Sequence, residues 1–131
     1  MARFPVGVII DSFHKPMDEA LELTASLGVS GIQVYATHGA MSPEELTGQK
    51  RREFLSKVRD RGLVISALCG DLGHGFGDAG KNPALIEKSK RILDLAKELH
   101  TDIVTTHIGV VPSDPSHPRY RVMQDACGEL A

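Results

Sequence analysis

Leu63-Val-Ile-Ser-Ala-Leu-Cys69 is the stretch that decides the fold class, because this short apolar run, followed by a helical pattern, predicts a buried strand. A glycine-rich loop leads from it to Asn82-Pro83, which predicts a helix start. An apolar stripe at helical spacing then runs from Leu85 to Leu99, and a further apolar run, 102–109, predicts the next strand. A strand, a helix and a strand in this order predict a βαβ unit and therefore a parallel sheet.

The same alternation extends towards the N-terminus. Val6-Gly-Val-Ile-Ile10 predicts a first strand buried on both faces, and Gly31-Ile-Gln-Val-Tyr35 predicts an alternating second strand. Pro16 and the capping box Ser42-Pro-Glu-Glu45 predict the starts of the helices that follow these two strands.

A fourth helix is predicted to begin at His117-Pro118, with Met123, Ala126, Cys127 and Leu130 on its inner face. That helical pattern reaches Ala131 without a stop signal, so we expect one domain, residues 1–131, truncated within its fourth helix. Two α/β architectures contain four consecutive βα units. They are a small doubly wound domain and half of an eight-stranded barrel.

Composition narrows the function classes. The 131 residues carry 15 Lys+Arg against 17 Asp+Glu, a net charge of −2, which disfavours a dedicated nucleic-acid binder. Apolar runs are far shorter than the roughly 18–20 residues of a membrane span, and the N-terminus lacks the features of a signal peptide. Two cysteines cannot form a disulfide framework, so a reducing, cytoplasmic setting is expected.

One glycine motif imitates a nucleotide-binding loop. Residues 75–82, Gly-Phe-Gly-Asp-Ala-Gly-Lys-Asn, match G-x-x-x-x-G-K but carry Asn82 where a P-loop needs a hydroxyl for Mg²⁺. The helix also begins too late relative to the preceding strand. We therefore interpret the segment as a βα loop.

Polar side chains follow every predicted strand, at the edge of the sheet where α/β proteins place their ligands. Asp11, Tyr35 and Asp71 lie at three such positions, and His107 ends an otherwise apolar strand. A histidine there needs a hydrogen-bond partner or serves as a base, a ligand or a substrate contact. Cys69 has no base fixed beside it, and Asp11, Asp71 and His107 show no diagnostic metal-binding spacing.

Segments 31–35, 63–71 and 104–109 in combination resemble the xylose isomerase-like TIM-barrel superfamily. More narrowly they resemble its sugar phosphate isomerase/epimerase proteins, which are related to endonuclease IV. The resemblance covers the whole chain and implies the first four βα units, half of a TIM (β/α)8 barrel. It implies a metal-dependent enzyme that moves a proton between adjacent carbons of a sugar, a sugar phosphate or a hydroxy-keto compound, with Mn²⁺, Mg²⁺ or a similar ion.

The resemblance also implies residue roles. His107 matches the histidine that contacts substrate, or metal in the endonuclease branch, and is the only metal-ligand candidate. Gln33, Asp11, Tyr35 and Asp71 are implied to shape the substrate pocket. Gln33 replaces a common Glu, and Cys69 replaces a metal-binding His of the endonuclease branch, which counts against phosphodiester chemistry. The family's metal ligands come from strands five to eight, so no catalytic residue is expected in this half and the piece should be inactive alone.

Two other functions remain as alternatives: an endonuclease IV-like phosphodiesterase, and a self-contained small α/β binding domain without catalysis. A half barrel would leave its first and fourth strands as open edges, which predicts self-association.

Overall fold

The computed structural model describes residues 4–131, which form one four-stranded sheet with its connecting helices. The strands are β1 (Gly7–Ile9), β2 (Gly31–Tyr35), β3 (Val64–Cys69) and β4 (Val104–Thr105). The α-helices are α1 (Met17–Ser26), α2 (Gly48–Asp60), α3 (Asn82–Glu98) and α4 (Pro118–Leu130). Two short 3₁₀ helices, Ile10–Phe13 and Gly39–Met41, follow β1 and β2.

The strand order decides between the two architectures. All neighbours pair in parallel and the order is β1-β2-β3-β4, so the sheet never reverses direction. A doubly wound domain requires such a reversal and places helices on both faces. The α/β half-barrel prediction, four consecutive βα units, is therefore confirmed, and the doubly wound alternative is wrong.

The hydrophobic core lies between the sheet and its helices. On β2, Ile32 and Val34 are fully buried, and Leu68 of β3 is buried on the same face. Leu21 of α1 and Leu95 of α3 belong to the same cluster. Alternation along β2 therefore directs one set of side chains to the helices and leaves the other set on the opposite face, called the inner face below.

The inner face carries no helix in the described part of the chain, which corrects one prediction. On this face Ile9 of β1 is 40% exposed and Val64 of β3 is 59% exposed, so the face is uncovered and β1 is not buried on both sides. The expectation assumed a sheet covered on both sides. Only one side is covered here, and β1 is also an edge strand.

The predicted start of the second helix is also wrong. Residues 42–47 form turns, in which the Leu46 N–H donates to the Ser42 carbonyl at 2.8 Å, and α2 begins only at Gly48. Gly48 has a φ of 49°, in the left-handed region, so a right-handed helix cannot continue through it from Ser42.

The later elements fit better. The helix start at Asn82-Pro83 is confirmed, although the Asn82 side chain donates to the Phe76 carbonyl at 3.0 Å instead of capping the helix. His117 caps α4, since its Nδ1 accepts from the Arg119 N–H at 3.1 Å. Cys127, predicted in the core, is only half-buried.

β4 is much shorter than the predicted run of residues 102–109. Within residues 4–131 it pairs with β3 at only two positions and has no strand on its other side. Beyond β4, the Ile108 carbonyl accepts from the Phe76 N–H at 2.8 Å, so the chain pairs with the loop between β3 and α3 instead of extending the sheet. No helix within residues 4–131 has the length and apolar character needed to cross a membrane.

Candidate functional site

The carboxyl ends of the four parallel strands meet at one edge of the sheet, where the predicted site residues lie. Asp11 lies in the 3₁₀ helix after β1, and Tyr35 ends β2. Asp71 lies two residues beyond β3, and His107 lies two residues beyond β4. The structure brings these residues together in two directly hydrogen-bonded pairs.

The first pair joins Asp71 and His107. The Asp71 Oδ2 and the His107 Nδ1 are 2.5 Å apart, and the other carboxylate oxygen of Asp71 accepts from the Gly73 N–H at 2.9 Å. The hydrogen bond from His107, followed by the one from Gly73, holds the pKa of Asp71 below its ordinary value of 3.8. An ionised carboxylate only accepts, so Nδ1 carries the hydrogen and Nε2 of His107 is left to act towards solvent or a ligand.

This pair has an exposed and a shielded member. The His107 side chain is 85% exposed, whereas that of Asp71 is only 26% exposed. The carboxylate is thus held by the loop backbone while the imidazole projects from it. The arrangement orients a histidine and fixes which ring nitrogen carries the proton.

We expect His107→Ala to raise the pKa of Asp71 towards its ordinary value, because the largest stabilising contact of the carboxylate is lost. Because the Gly73 N–H still donates to the carboxylate, the pKa of Asp71 should stay somewhat below its ordinary value. Because folding lowers this pKa, the contact stabilises the native state above pH 3.8 and the benefit disappears as pH falls through the folded value. Carboxyl ¹³C NMR titration measures the pKa.

His38→Ala is the matched control, because the His38 ring pairs with the Thr37 hydroxyl and not with Asp71. An unchanged Asp71 titration in the His107→Ala variant would contradict the pairing.

The second pair joins Asp11 and the end of β2. The Tyr35 N–H donates to the Asp11 Oδ2 at 3.0 Å, so this carboxylate tethers the loop after β1 to the neighbouring strand. Both residues line a depression of about 460 Å³ that also includes Ser12, His14 and His38.

Gln33 crosses the inner face. Its Nε2 donates to the Thr105 Oγ1 of β4 at 2.9 Å, although β3 lies between the two strands. The register partner of Gln33 on β3 is Ala67, whose small side chain leaves room for this crossing. Gln33 therefore contacts β4 and not the Asp71–His107 pair.

A depression of about 430 Å³ lies beside Asp71. Besides Asp71 and Tyr35 it is lined by His38, His74 and Lys88. Both histidines lie in loops and are exposed, and the sequence analysis assigned neither of them to the site. It missed Lys88, which α3 brings to the sheet edge. Lys88 could have been found from the sequence, because the first turns of a helix that follows a strand lie near the carboxyl end of that strand.

The described residues do not supply a metal centre. Within residues 4–131 no group of three His, Cys, Asp or Glu side chains is arranged to hold a metal ion. Cys69 is buried at the end of β3. The divalent metal implied by the sequence resemblance therefore does not fit the ligands of this chain taken alone.

Comparison with known proteins identifies the architecture. The family model described as xylose isomerase-like TIM barrel matches residues 21–131. No curated protein matches the sequence.

Solved structures share the fold at low sequence identity. A xylose isomerase domain protein from Planctomyces limnophilus has a TM-score of 0.68 at 23% identity, over 97% of this chain and 50% of its own. A sugar phosphate isomerase/epimerase from Parabacteroides distasonis has 0.66 at 16%, over 99% and 47%. The probable 3-DHS dehydratase AsbF of Bacillus anthracis has 0.65 at 16%, over 96% and 49%. The chain spans about half the length of these structures.

Proposed function

Because the chain belongs to the xylose isomerase-like TIM-barrel family, we propose that it supplies the first half of a barrel that isomerises or epimerises a sugar, a sugar phosphate or a related hydroxy-keto compound. A structural neighbour named as a sugar phosphate isomerase/epimerase supports this substrate class. The observation that carries the proposal is the oriented Asp71–His107 pair at the carboxyl edge of the strands.

The sequence resemblance implies a substrate contact for His107 and no catalytic residue in this half. The geometry of its pair with Asp71 supports a larger role, in which His107 also moves a proton. With Nδ1–H donated to Asp71, the Nε2 of His107 accepts a hydrogen bond from a substrate hydroxyl. When a carbonyl moves to the adjacent carbon, that hydroxyl loses its proton and the old carbonyl oxygen gains one. Nε2 takes the first proton, so that the imidazole becomes an imidazolium, and then returns it to the other oxygen, which leaves the ring neutral again. The Asp71 carboxylate stabilises the positive charge that forms.

The remaining chemistry belongs to groups outside the chain. In this proposal the base that removes the carbon-bound proton lies in the second half of the barrel, and residues 4–131 contain no group of three His, Cys, Asp or Glu side chains that could hold a metal ion. Most ligands of a divalent ion would likewise come from the second half, with His107 as the candidate that the sequence resemblance implies in this half. Asp11, Tyr35 and Gln33 shape the substrate pocket in this proposal, and the chain alone is inactive.

The test uses a completed barrel, in which residues 1–131 are joined to the half of the Planctomyces limnophilus relative that the structural match does not cover. The completed barrel is incubated with aldoses, ketoses and their phosphates in D₂O, and ¹H NMR follows deuterium incorporation next to the carbonyl. We expect exchange together with the isomeric sugar. Exchange accompanied by loss of water would identify a dehydratase instead. A folded completed barrel inert towards substrates that the unmodified relative converts would contradict the proposal.

We expect the isolated chain to self-associate, because β1 and β4 are open edges and the inner face exposes Ile9 and Val64. Sedimentation velocity should detect a concentration-dependent dimer. Val64→Lys puts a charge on that face and should raise the dimer Kd by at least about tenfold. Lys97→Gln, an exposed change on α3, is the control. A monomer at every concentration would refute the prediction.

A further inference from the structure

A small pocket lies between the loop that follows β3 and the beginning of α4, outside the Asp71–His107 pair. Its volume is about 250 Å³, and His74, Gly77, Asp78, Lys81 and Arg119 contribute to its lining. Its lining includes part of the glycine motif at residues 75–82, which the sequence analysis interpreted as a βα loop and not as a nucleotide-binding loop.

The pocket carries two cations that make no ion pair. Within the described residues, neither Lys81 nor Arg119 lies within ion-pairing distance of a carboxylate, although most other basic side chains around the helices do. Among the lining residues in the described part of the chain, the only acidic one is Asp78, whose Oδ1 accepts from the Gly80 N–H at 2.8 Å and so shapes the loop. With two cations and one carboxylate in its lining, the pocket carries a net positive local charge.

Contact with the loop holds Arg119 at this pocket. Its guanidinium lies so close to the backbone of Gly77 that a Cβ at that position would collide with Nε. The neighbouring Phe76 is buried, and its N–H binds the Ile108 carbonyl, which fixes this loop against the chain that follows β4. Arg119, in the first turn of α4, thus packs against the loop that also carries Lys81.

The pocket adjoins the candidate site. His74 lines both this pocket and the depression that contains Asp71. A ligand spanning the two would place an anionic end against Lys81 and Arg119 and a hydroxyl-bearing end near His107. An arginine fork and a lysine ammonium are a common pair for phosphate recognition.

We propose that Lys81 and Arg119 form a phosphate-binding subsite, so that the substrate of the barrel is a phosphorylated sugar or hydroxy-keto compound. The role of the subsite in substrate binding rests on the proposed function. The binding of phosphate by Lys81 and Arg119 does not. It differs from a P-loop, because Asn82 engages the Phe76 carbonyl and offers no hydroxyl for Mg²⁺.

The test titrates inorganic phosphate into the 131-residue chain at constant ionic strength and follows backbone and arginine Nε–H signals by ¹H–¹⁵N NMR. We expect saturable shifts centred on residues 74–81 and on Arg119. Arg119→Gln and Lys81→Gln should each raise the Kd by about tenfold or more. Gly77→Ala, which keeps both charges but displaces the guanidinium, should also weaken binding. Lys97→Gln is the matched control.

Two further probes separate this inference from the proposed function. D-fructose 6-phosphate should shift both the subsite and His107, whereas D-fructose should shift only the region of His107. Phosphate binding at the subsite without any sugar effect at His107 would leave the subsite intact and contradict the proposed function. Shifts spread evenly over lysines and arginines, or equal binding by Arg119→Gln and Lys97→Gln, would overturn the subsite.

Discussion

His107→Ala is expected to lower the kcat/KM of the completed barrel by about 10²- to 10⁴-fold, the usual contribution of a positioned acid–base group. The alanine removes the Nε2 that accepts the hydroxyl proton and leaves Asp71 without its closest partner. The imidazole is 85% exposed, so folding should be almost unaffected and the loss should be specific to the reaction. Steady-state kinetics with the substrate found in the D₂O screen, together with a thermal melt, measures both quantities.

Two variants make this test specific. Asp71→Asn should lower kcat more than it raises KM, because asparagine no longer fixes the hydrogen on Nδ1 or stabilises the imidazolium. His100→Asn removes a histidine at the opposite end of the sheet, after α3, where φ is 60° and asparagine is well tolerated. It should retain full activity. Equal kinetics for His107→Ala and His100→Asn would exclude His107 from the reaction.

Gly75→Ala is expected to lower the free energy of unfolding by about 1–3 kcal/mol, as overpacking of close-packed positions does. A Cβ at Gly75 would lie 2.5 Å from the Gly109 Cα and 2.6 Å from the Ile108 carbonyl oxygen. Both are backbone atoms and cannot swing aside like the end of a flexible side chain. The two loops must therefore move apart, which also lengthens or breaks the hydrogen bond from the Phe76 N–H to the Ile108 carbonyl. Urea unfolding followed by circular dichroism gives the free energy.

Gly128→Ala is the matched control on α4. A Cβ there meets nothing within 4 Å, and the position lies inside a helix. The same chemical change should therefore stabilise the protein by about 0.5–1 kcal/mol. If both glycine variants changed stability alike, the close approach of the two loops would not be the cause. Phosphate titration of Gly75→Ala then reports whether this approach also supports the subsite.

Sequence reasoning predicted β2 residue by residue, because its alternation and flanking turns leave one register that buries Ile32 and Val34. It misplaced the start of α2, because a capping box is a local signal and the left-handed Gly48 that overrides it depends on tertiary structure. It could not foresee the exposure of β1, since an apolar strand looks the same whether one face or both are covered.

The position of the candidate site at the carboxyl edge of the sheet could be predicted from the sequence, but the hydrogen bonds between its residues could not. Parallel strands bring their carboxyl ends together, which is why Asp71 and His107 were both singled out. Their direct pairing spans 36 residues and depends on two loop conformations that no local pattern encodes. Arg119 escaped notice for a similar reason, since a charged residue in the first turn of a helix is ordinary until its neighbours are known.

The brevity of the edge strands has an energetic consequence. β1 contributes three residues and β4 only two, so any added strand gains few backbone hydrogen bonds at either border. In the proposed complete barrel, the free energy that closes the sheet would therefore come mainly from side chains that pack against one another on its inner face. Such closure is a dehydration process, with a negative heat-capacity change and a strength that fades on cooling. Calorimetry of the association of the two halves should therefore show the large negative heat-capacity change of apolar burial, as in the formation of a protein core, and not the signature of backbone hydrogen bonding alone.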